Sequence, residues 1–209
     1  MKTLGIFGSS GLAREFADIA HEVGYETIFL IDNFDAVDSV SGLEIISEEK
    51  LKQIKHEEID FLIGVGEANI REKIYRKFLD LNYVNLIHPS VTFGYKQREK
   101  LKYKIGNVFC AGSRFTNNIK IGNFCIFNLN VTVGHDCIIE DFVTISPGAN
   151  ISGNVKLSEG CYIGTGSTIL QGKSLGTKLI VGKNSIVGAG AVVVKNVAPN
   201  TVVKGIPAK

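Results

Sequence analysis

The sequence predicts two architectures in one chain: an α/β unit with a parallel sheet, then an all-β parallel β-helix. Three observations carry this expectation. Strand-like and helix-like segments alternate through residues 1–90. From about residue 101 onward a large apolar residue returns every six positions. Gly supplies 23 of the 209 residues and Pro only 4, a balance that suits many tight corners and not a flexible linker. The expected units are 1–90 and 91–209.

In the first unit, Thr3–Gly8 reads as a short apolar strand running into Gly8-Ser9-Ser10-Gly11. Leu12–Val23 places Leu12, Phe16, Ile19, Ala20 and Val23 at spacings of three and four, an amphipathic helix that Gly24 ends. Thr27–Asp32 is the next strand. Ser47–Lys55 is a helix with Ser47 as N-cap. Ile59–Gly64 is a third strand, and Ile70–Leu81 a helix with Ile74, Phe78 and Leu81 on one face. Asn85–Ile87 is a fourth short strand before His88-Pro89-Ser90. Such alternation implies a parallel sheet with right-handed crossovers.

In the second unit, stepping by six from Ile121 gives Phe127, Val133, Ile139, Ile145, Ile151, Leu157, Ile163, Ile169, Leu175, Val181, Val187 and Val193. Two residues earlier runs a smaller series that includes Cys125, Val131, Cys137, Val143, Ala149 and Cys161 and that only Lys173 interrupts. Six is not a multiple of 3.6, so no helix produces this pattern. Short strands joined by tight turns do, three hexads to a triangular coil, with the large residues stacked inward. Three of the four cysteines lie on the small inward series and so read as buried, reduced thiols.

Composition narrows the function. Lys plus Arg is 23 and Asp plus Glu 21, a net charge of +2, which gives no argument for nucleic acid. No apolar run reaches the ~18 residues of a membrane helix. The first ten residues lack the apolar stretch of a signal peptide, so a cytoplasmic location is expected. The cysteines contain no CxxC pair, which disfavours zinc.

Several features together resemble one family: Gly8-Ser-Ser-Gly11, Gly64-Val-Gly66 with Asn69 and Arg71, Ile87-His-Pro-Ser90, Gly134-His-Asp-Cys137, Ser146-Pro-Gly-Ala-Asn-Ile-Ser-Gly153 and the tail Lys204-Gly-Ile-Pro-Ala-Lys209. With the hexads, they resemble the bacterial nucleotide-sugar N-acetyltransferases, of the UDP-4-amino-sugar (bacillosamine) type. GDP-perosamine acetyltransferases and sialic-acid O-acetyltransferase-like proteins are relatives. The resemblance implies a Rossmann-like first domain, a left-handed β-helix, acetyl-CoA as co-substrate and no metal. It also implies a homotrimer with active sites between subunits, acting on a nucleotide-linked amino sugar.

His135 sits at a coil corner two residues after Val133 and is followed by Asp136. Acetyl transfer to an amine needs a base, because an ammonium has no lone pair, and His suits neutral pH. A neighbouring carboxylate fixes the tautomer. By spacing alone the pair reads equally well as a solvated turn; the resemblance implies the catalytic role. It further implies that Asn128 helps orient the His and that the Gly153 N–H faces the thioester oxygen, with Thr144 and Gly172 also on the acetyl-CoA side. Thr144 departs from the pattern, since many relatives carry a second His there; Leu12 likewise stands where many have His.

Gly8, Ser9, Ser10 and Gly11 join a strand to a helix, a junction that offers N–H groups to phosphate. Asp32 can accept from a ribose or base, and Gly64, Gly66 and Asn69 close a strand at the same sheet edge. Asp32 also reads as a surface turn, and Arg71 as either a cleft residue or a helix-surface ion pair. His21 and His56 read as surface residues, and His88 as a junction hydrogen bond. The function alternatives are sugar or sialic-acid O-acetylation and, outside catalysis, a trimeric nucleotide-sugar-binding scaffold. A β-helix carbonic anhydrase needs three His ligands and is excluded, because only His135 lies in the coil.

Overall fold

The computed structural model describes residues 2–33, 38–174 and 176–209. The first unit is a six-stranded sheet. Its elements are β1 (Thr3–Phe7), α1 (Gly11–Glu22), β2 (Thr27–Ile31), β3 (Ser39–Val40), β4 (Leu43–Ile46), α2 (Glu48–Leu51), β5 (Ile59–Ile63), α3 (Ala68–Lys77) and β6 (Asn82–Tyr83). The strand order is β3-β4-β2-β1-β5-β6. All neighbours are parallel except the β3–β4 hairpin, an antiparallel edge that the alternation did not indicate. α1 buries Ala13, Phe16, Ala17, Ile19 and Ala20 against the sheet, the expected stripe.

Two helices differ from expectation. The Ser47 side chain accepts from the Lys50 N–H at 3.1 Å, as an N-cap should. However, α2 ends at Leu51, where the Gln53 and Ile54 N–H groups turn back to carbonyls three residues earlier. α3 runs from Ala68 to Lys77, shifted toward the N-terminus. It stops because Phe78 leaves helical φ at −131° and packs on Phe7 at 5.1 Å.

The second unit is a three-faced parallel β-helix. Among the described residues its first face has seven strands, the second six and the third four. Thr144 pairs with Ile126 and Tyr162 on the first face, and Thr132 with Arg114 and Asn150 on the second, all steps of one coil. The strand expected at Asn85–Ile87 is a correction. Leu86–Ile87 does not extend the first sheet; it pairs with Val108–Phe109 and begins the first face of the β-helix, while Asn82–Tyr83 completes the first sheet.

The inward series are buried. Phe127, Val133, Ile139, Ile145, Ile151, Leu157, Ile163, Ile169, Val181, Val187 and Val193 stack with Cys125, Cys137 and Cys161 in one continuous core. Burial pushes the Cys125 thiol up to about 12, so it remains a packed thiol. A late coil is longer than the 18-residue step, because Leu157 pairs directly with Val181 and an insertion that includes residues 171–174 and 176–178 lies between them. The insertion adds one hexad, which keeps the sequence in phase through it; Leu175, counted in that phase, lies outside the described residues.

Corners place residues in the left-handed region at a regular interval. One row holds Asn118, Asp136 and Asn154, at φ 52°, 60° and 58°. A second holds Phe124 and Phe142, at φ 55° and 60°. Asn and Asp tolerate this region, whereas Phe there costs on the order of 1–3 kcal/mol each. The Phe rings stack on each other at 5.3 Å, and Phe124 also packs on Tyr75 at 4.4 Å, which over-determines the strained corners.

Arg71 joins the two units. It is 1% exposed. Its Nε donates to the Phe124 carbonyl at 3.1 Å and Nη2 to the Phe142 carbonyl at 2.6 Å, while Nη1 donates to the Val65 and Gly66 carbonyls. Burial pushes its pKa down to about 10, so the guanidinium stays charged at neutral pH, held by the four backbone carbonyls. Neither sequence reading of Arg71 anticipated this clasp.

Candidate active site

His135 lies at a corner between the second and third faces, between strands Thr132–Val133 and Ile138–Ile139. Its Nδ1 is 2.7 Å from Asp136 Oδ2, and the ring is half exposed. A carboxylate partner assigns the proton to Nδ1 and leaves Nε2 as the basic nitrogen. Asp136 is fixed in turn by Asn118, whose Nδ2 donates to Oδ1 at 2.5 Å. The hydrogen bond from His135, then that from Asn118, holds the Asp136 carboxyl below the usual range.

Gly153 lies directly against the imidazole. A Cβ on it would stand 2.5 Å from His135 Nε2 and 2.6 Å from Cε1, so only Gly admits the ring. Its N–H has no acceptor among the described residues. An unpaired N–H beside the basic nitrogen is what an oxyanion-binding group requires. The Gly172 N–H donates to the Gly153 carbonyl at 3.2 Å, which draws the 171–178 insertion onto this corner. Lys178 Nζ adds bonds to the Asp136 carbonyl at 2.5 Å and Asn154 Oδ1 at 2.8 Å. Gln171, Gly172, Lys173, Thr177, Lys178 and Lys195 line a 500 Å³ cleft that continues from the corner.

The structure divides the remaining expected residues. Asn128 and Thr144 lie away from His135 in this chain. Asn128 Oδ1 accepts from its neighbour's N–H, Leu129, at 2.8 Å. Thr144 is on the first face, across the prism from the His135 corner, and its hydroxyl donates to the Gly66 carbonyl at 2.9 Å. Asn118 and Lys178 are the neighbours of His135–Asp136 that the sequence reading did not single out as such. The signal for Asn118 was one coil of spacing from Asp136.

Gly8, Ser9, Ser10, Gly11, Asp32, Gly64 and Gly66 gather at the carboxyl ends of β1, β2 and β5. Gly8 has φ 100°, and a Cβ there would meet the Gly64 carbonyl at 3.2 Å. Ser9 Oγ donates to Asp32 Oδ2 at 2.6 Å. Ser10 caps α1 by position, without a side-chain bond. A Cβ on Gly64 would strike Ala13 at 2.7 Å, so this Gly seats α1 on the sheet end. Asn69 is exposed and faces a 760 Å³ cavity with Glu67, Thr144, Tyr162 and Lys183.

His21 is exposed, and His56 is half-buried with its ring edge on Phe61. His88 accepts from the Ser90 N–H at Nδ1 and meets Glu22 at Nε2, tying α1 to the junction. Among the described residues no group of three or more His, Cys, Asp or Glu is placed to hold a metal ion. Among the described residues no helix is long and apolar enough to cross a membrane.

Comparison with known proteins gives concordant results. Residues 3–78 match the PglD N-terminal domain. WeeI from Acinetobacter baumannii is 28% identical, over 99% of this chain and 98% of that one, with a TM-score of 0.89. The acetyltransferase domain of PglB from Neisseria gonorrhoeae is 30% identical, over 100% of this chain and 99% of that one, at 0.88; it is also solved in complex with acetyl coenzyme A. PerB from Caulobacter crescentus, solved in complex with CoA and GDP-perosamine, is 25% identical over 99% and 96% of the two chains, at 0.85. Fold and relatives together define an acyltransferase on a left-handed hexapeptide β-helix. More particularly, the chain belongs to the bacterial nucleotide-sugar N-acetyltransferase family that its motifs indicated.

Proposed function

We propose that this enzyme transfers the acetyl group of acetyl-CoA to the amino group, at C4, of a nucleotide-linked amino sugar. The carrying observation is the His135–Asp136 pair with the unpaired Gly153 N–H against it. The amine nitrogen attacks the thioester carbon while His135 Nε2 takes its proton. The Gly153 N–H donates to the oxygen as negative charge develops there. As the C–S bond breaks, the imidazolium returns the proton to the leaving sulfur. Asp136 keeps the ring in the productive tautomer and stabilises the imidazolium.

The cleft of Gly172, Lys173, Lys178 and Lys195 suits the co-substrate, since its phosphates would meet three ammonium groups and its thioester end the corner. PglB bound to acetyl coenzyme A supports this reading. The sheet-end loops and the Asn69 cavity suit a nucleotide sugar, the class of ligand that PerB carries as GDP-perosamine.

We further propose a homotrimer. The Asn69–Thr144 cavity opens on the first face and His135 on the opposite corner, so a neighbour's corner must supply the base. Exposed Tyr162, Ile186 and Val202 on the first face are consistent with such packing. The decisive assay is thiol release from acetyl-CoA with UDP-, dTDP- and GDP-linked 4-amino-4,6-dideoxy sugars, beside His135→Ala. The expected result is release with one of them, lost in the variant. Release with hydroxyl sugars alone would replace N- by O-acetylation, and acetyl-CoA binding with no release would leave a scaffold.

A further inference from the structure

The segment Gly94–Lys104 forms the N-terminal end of the β-helix. Thr92 pairs with Arg114 although they lie 22 residues apart, whereas Arg114 and Thr132 lie 18 apart. The extra length replaces a third-face strand by a 3₁₀ helix, Arg98–Tyr103. Two residues account for its capping role. Gln97 is buried, its Nε2 donating to the Ile119 carbonyl at 2.7 Å and its Oε1 accepting from the Ile119 N–H at 3.0 Å. The side chain thus supplies the ladder bonds that the missing strand would have made. Leu101 closes the core beside Ile119 and Ile121.

Capping does not account for the outer surface. Tyr95 is 85% and Tyr103 82% exposed. Lys96, Arg98, Lys100 and Lys102 are exposed around them, with Lys104 behind and Glu99 the segment's one carboxylate. Five cations against one carboxylate give +4 in a chain whose total is +2, so the remainder sums to −2. None of the five forms an ion pair among the described residues. The Lys96 and Lys102 ammonium groups lie 5.2 and 5.7 Å from the ring centroids of Tyr95 and Tyr103. Beside them is a 450 Å³ depression between Val91, Phe93 and Arg98.

We propose that this end of the β-helix docks on an anionic lipid bilayer. Amphipathic rings with a polar tip sit at headgroup level, and flanking cations are drawn to acidic headgroups. A single-stranded nucleic acid would need a groove that tracks its backbone, whereas these cations ring an end cap. In a trimer of parallel β-helices the three ends face one way, so contact with a bilayer is multivalent. The acetyl-transfer corner is not used, and the proposal stands apart from the substrate assigned above.

The test is co-sedimentation of the full chain with phosphatidylcholine vesicles and with phosphatidylcholine–phosphatidylglycerol vesicles, at low and high salt. Binding to the acidic vesicles only, abolished by salt, is expected. A combined K96Q, R98Q, K100Q and K102Q variant should lower partition roughly six-hundredfold, at about fivefold for each of four cations. Y95S with Y103S should lower it less, and both variants should keep their melting temperature. Equal binding to both vesicles, no binding to either, or undiminished binding by the charge variant would overturn the proposal. Tighter binding of a single-stranded RNA oligonucleotide that displaces the vesicles would also overturn it.

Discussion

Two rows of corners in this β-helix share one backbone conformation and do opposite work. Asn118, Asp136 and Asn154 form a polar row with side chains bonded to one another or to the 171–178 insertion. That row leaves His135 half exposed and Gly153 bare. Phe124 and Phe142 form an aromatic row, closed by stacking and by Arg71. The left-handed turn is permissive for Asn and Asp and strained for Phe. Side-chain choice at the same turn therefore separates a chemical edge from a structural one. Arg71 ties the carbonyls of the aromatic row to those of Val65 and Gly66, so this end of the first sheet is positioned by the β-helix itself.

Breaking each row should give different failures. The largest effect on chemistry is expected from His135→Ala, about 10²–10⁴-fold in kcat for thiol release, with the melting temperature unchanged. Arg71→Met should do the reverse. It leaves the Phe124, Phe142 and Val65 carbonyls without their donor, while Gly66 keeps the Thr144 hydroxyl; at about 1–3 kcal/mol for each that water cannot reach, denaturant unfolding should show a loss of several kcal/mol. Gly153→Ala drives a methyl into the imidazole, and displacing the base by about 1 Å costs up to ~10²-fold in kcat. Thermal unfolding should place this variant close to the wild type.

The smallest effect sharpens the contrast. Asn118→Gly keeps the left-handed turn and removes only the bond to Asp136, so a loss of roughly tenfold in kcat is expected. The Asp136 carboxyl is held below its unfolded value, so its stabilising contribution is present above that unfolded value and is lost as pH falls through the lower folded one. In Asn118→Gly the carboxyl should titrate at higher pH than in the wild type, and the part of the acid-induced loss of stability that it contributes should be smaller and complete at higher pH. NMR titration of the Asp136 carboxyl would show it.

The fold was legible because its signals are repetitive. The hexads, the α1 stripe and the Ser47 cap all follow from local spacing, and the structure places them as expected. The Leu86–Ile87 strand was not legible, since two apolar residues carry no record of which sheet they join. The long coil was hidden for a different reason: an insertion of one full period leaves the pattern intact. At the site, His135, Asp136, Gly153 and Gly172 come together because corner and neighbouring coil are linked by the repeat. Arg71 escaped because its partners are backbone carbonyls, which no sequence identity announces. Thr144 and Asn128 were placed by resemblance, and in one chain they lie away from the base.

The most direct test of the account is subunit exchange between two variants. His135→Ala removes the proposed base at the polar corner, and Asp32→Ala removes the Ser9 partner at the sheet end. Each alone should release little thiol from acetyl-CoA with the nucleotide sugar. Mixed under conditions that exchange subunits, they should recover activity, because one chain's intact cavity then meets another chain's intact corner. Verified mixed oligomers with no recovery would contradict the assignment of base and nucleotide cavity to different chains.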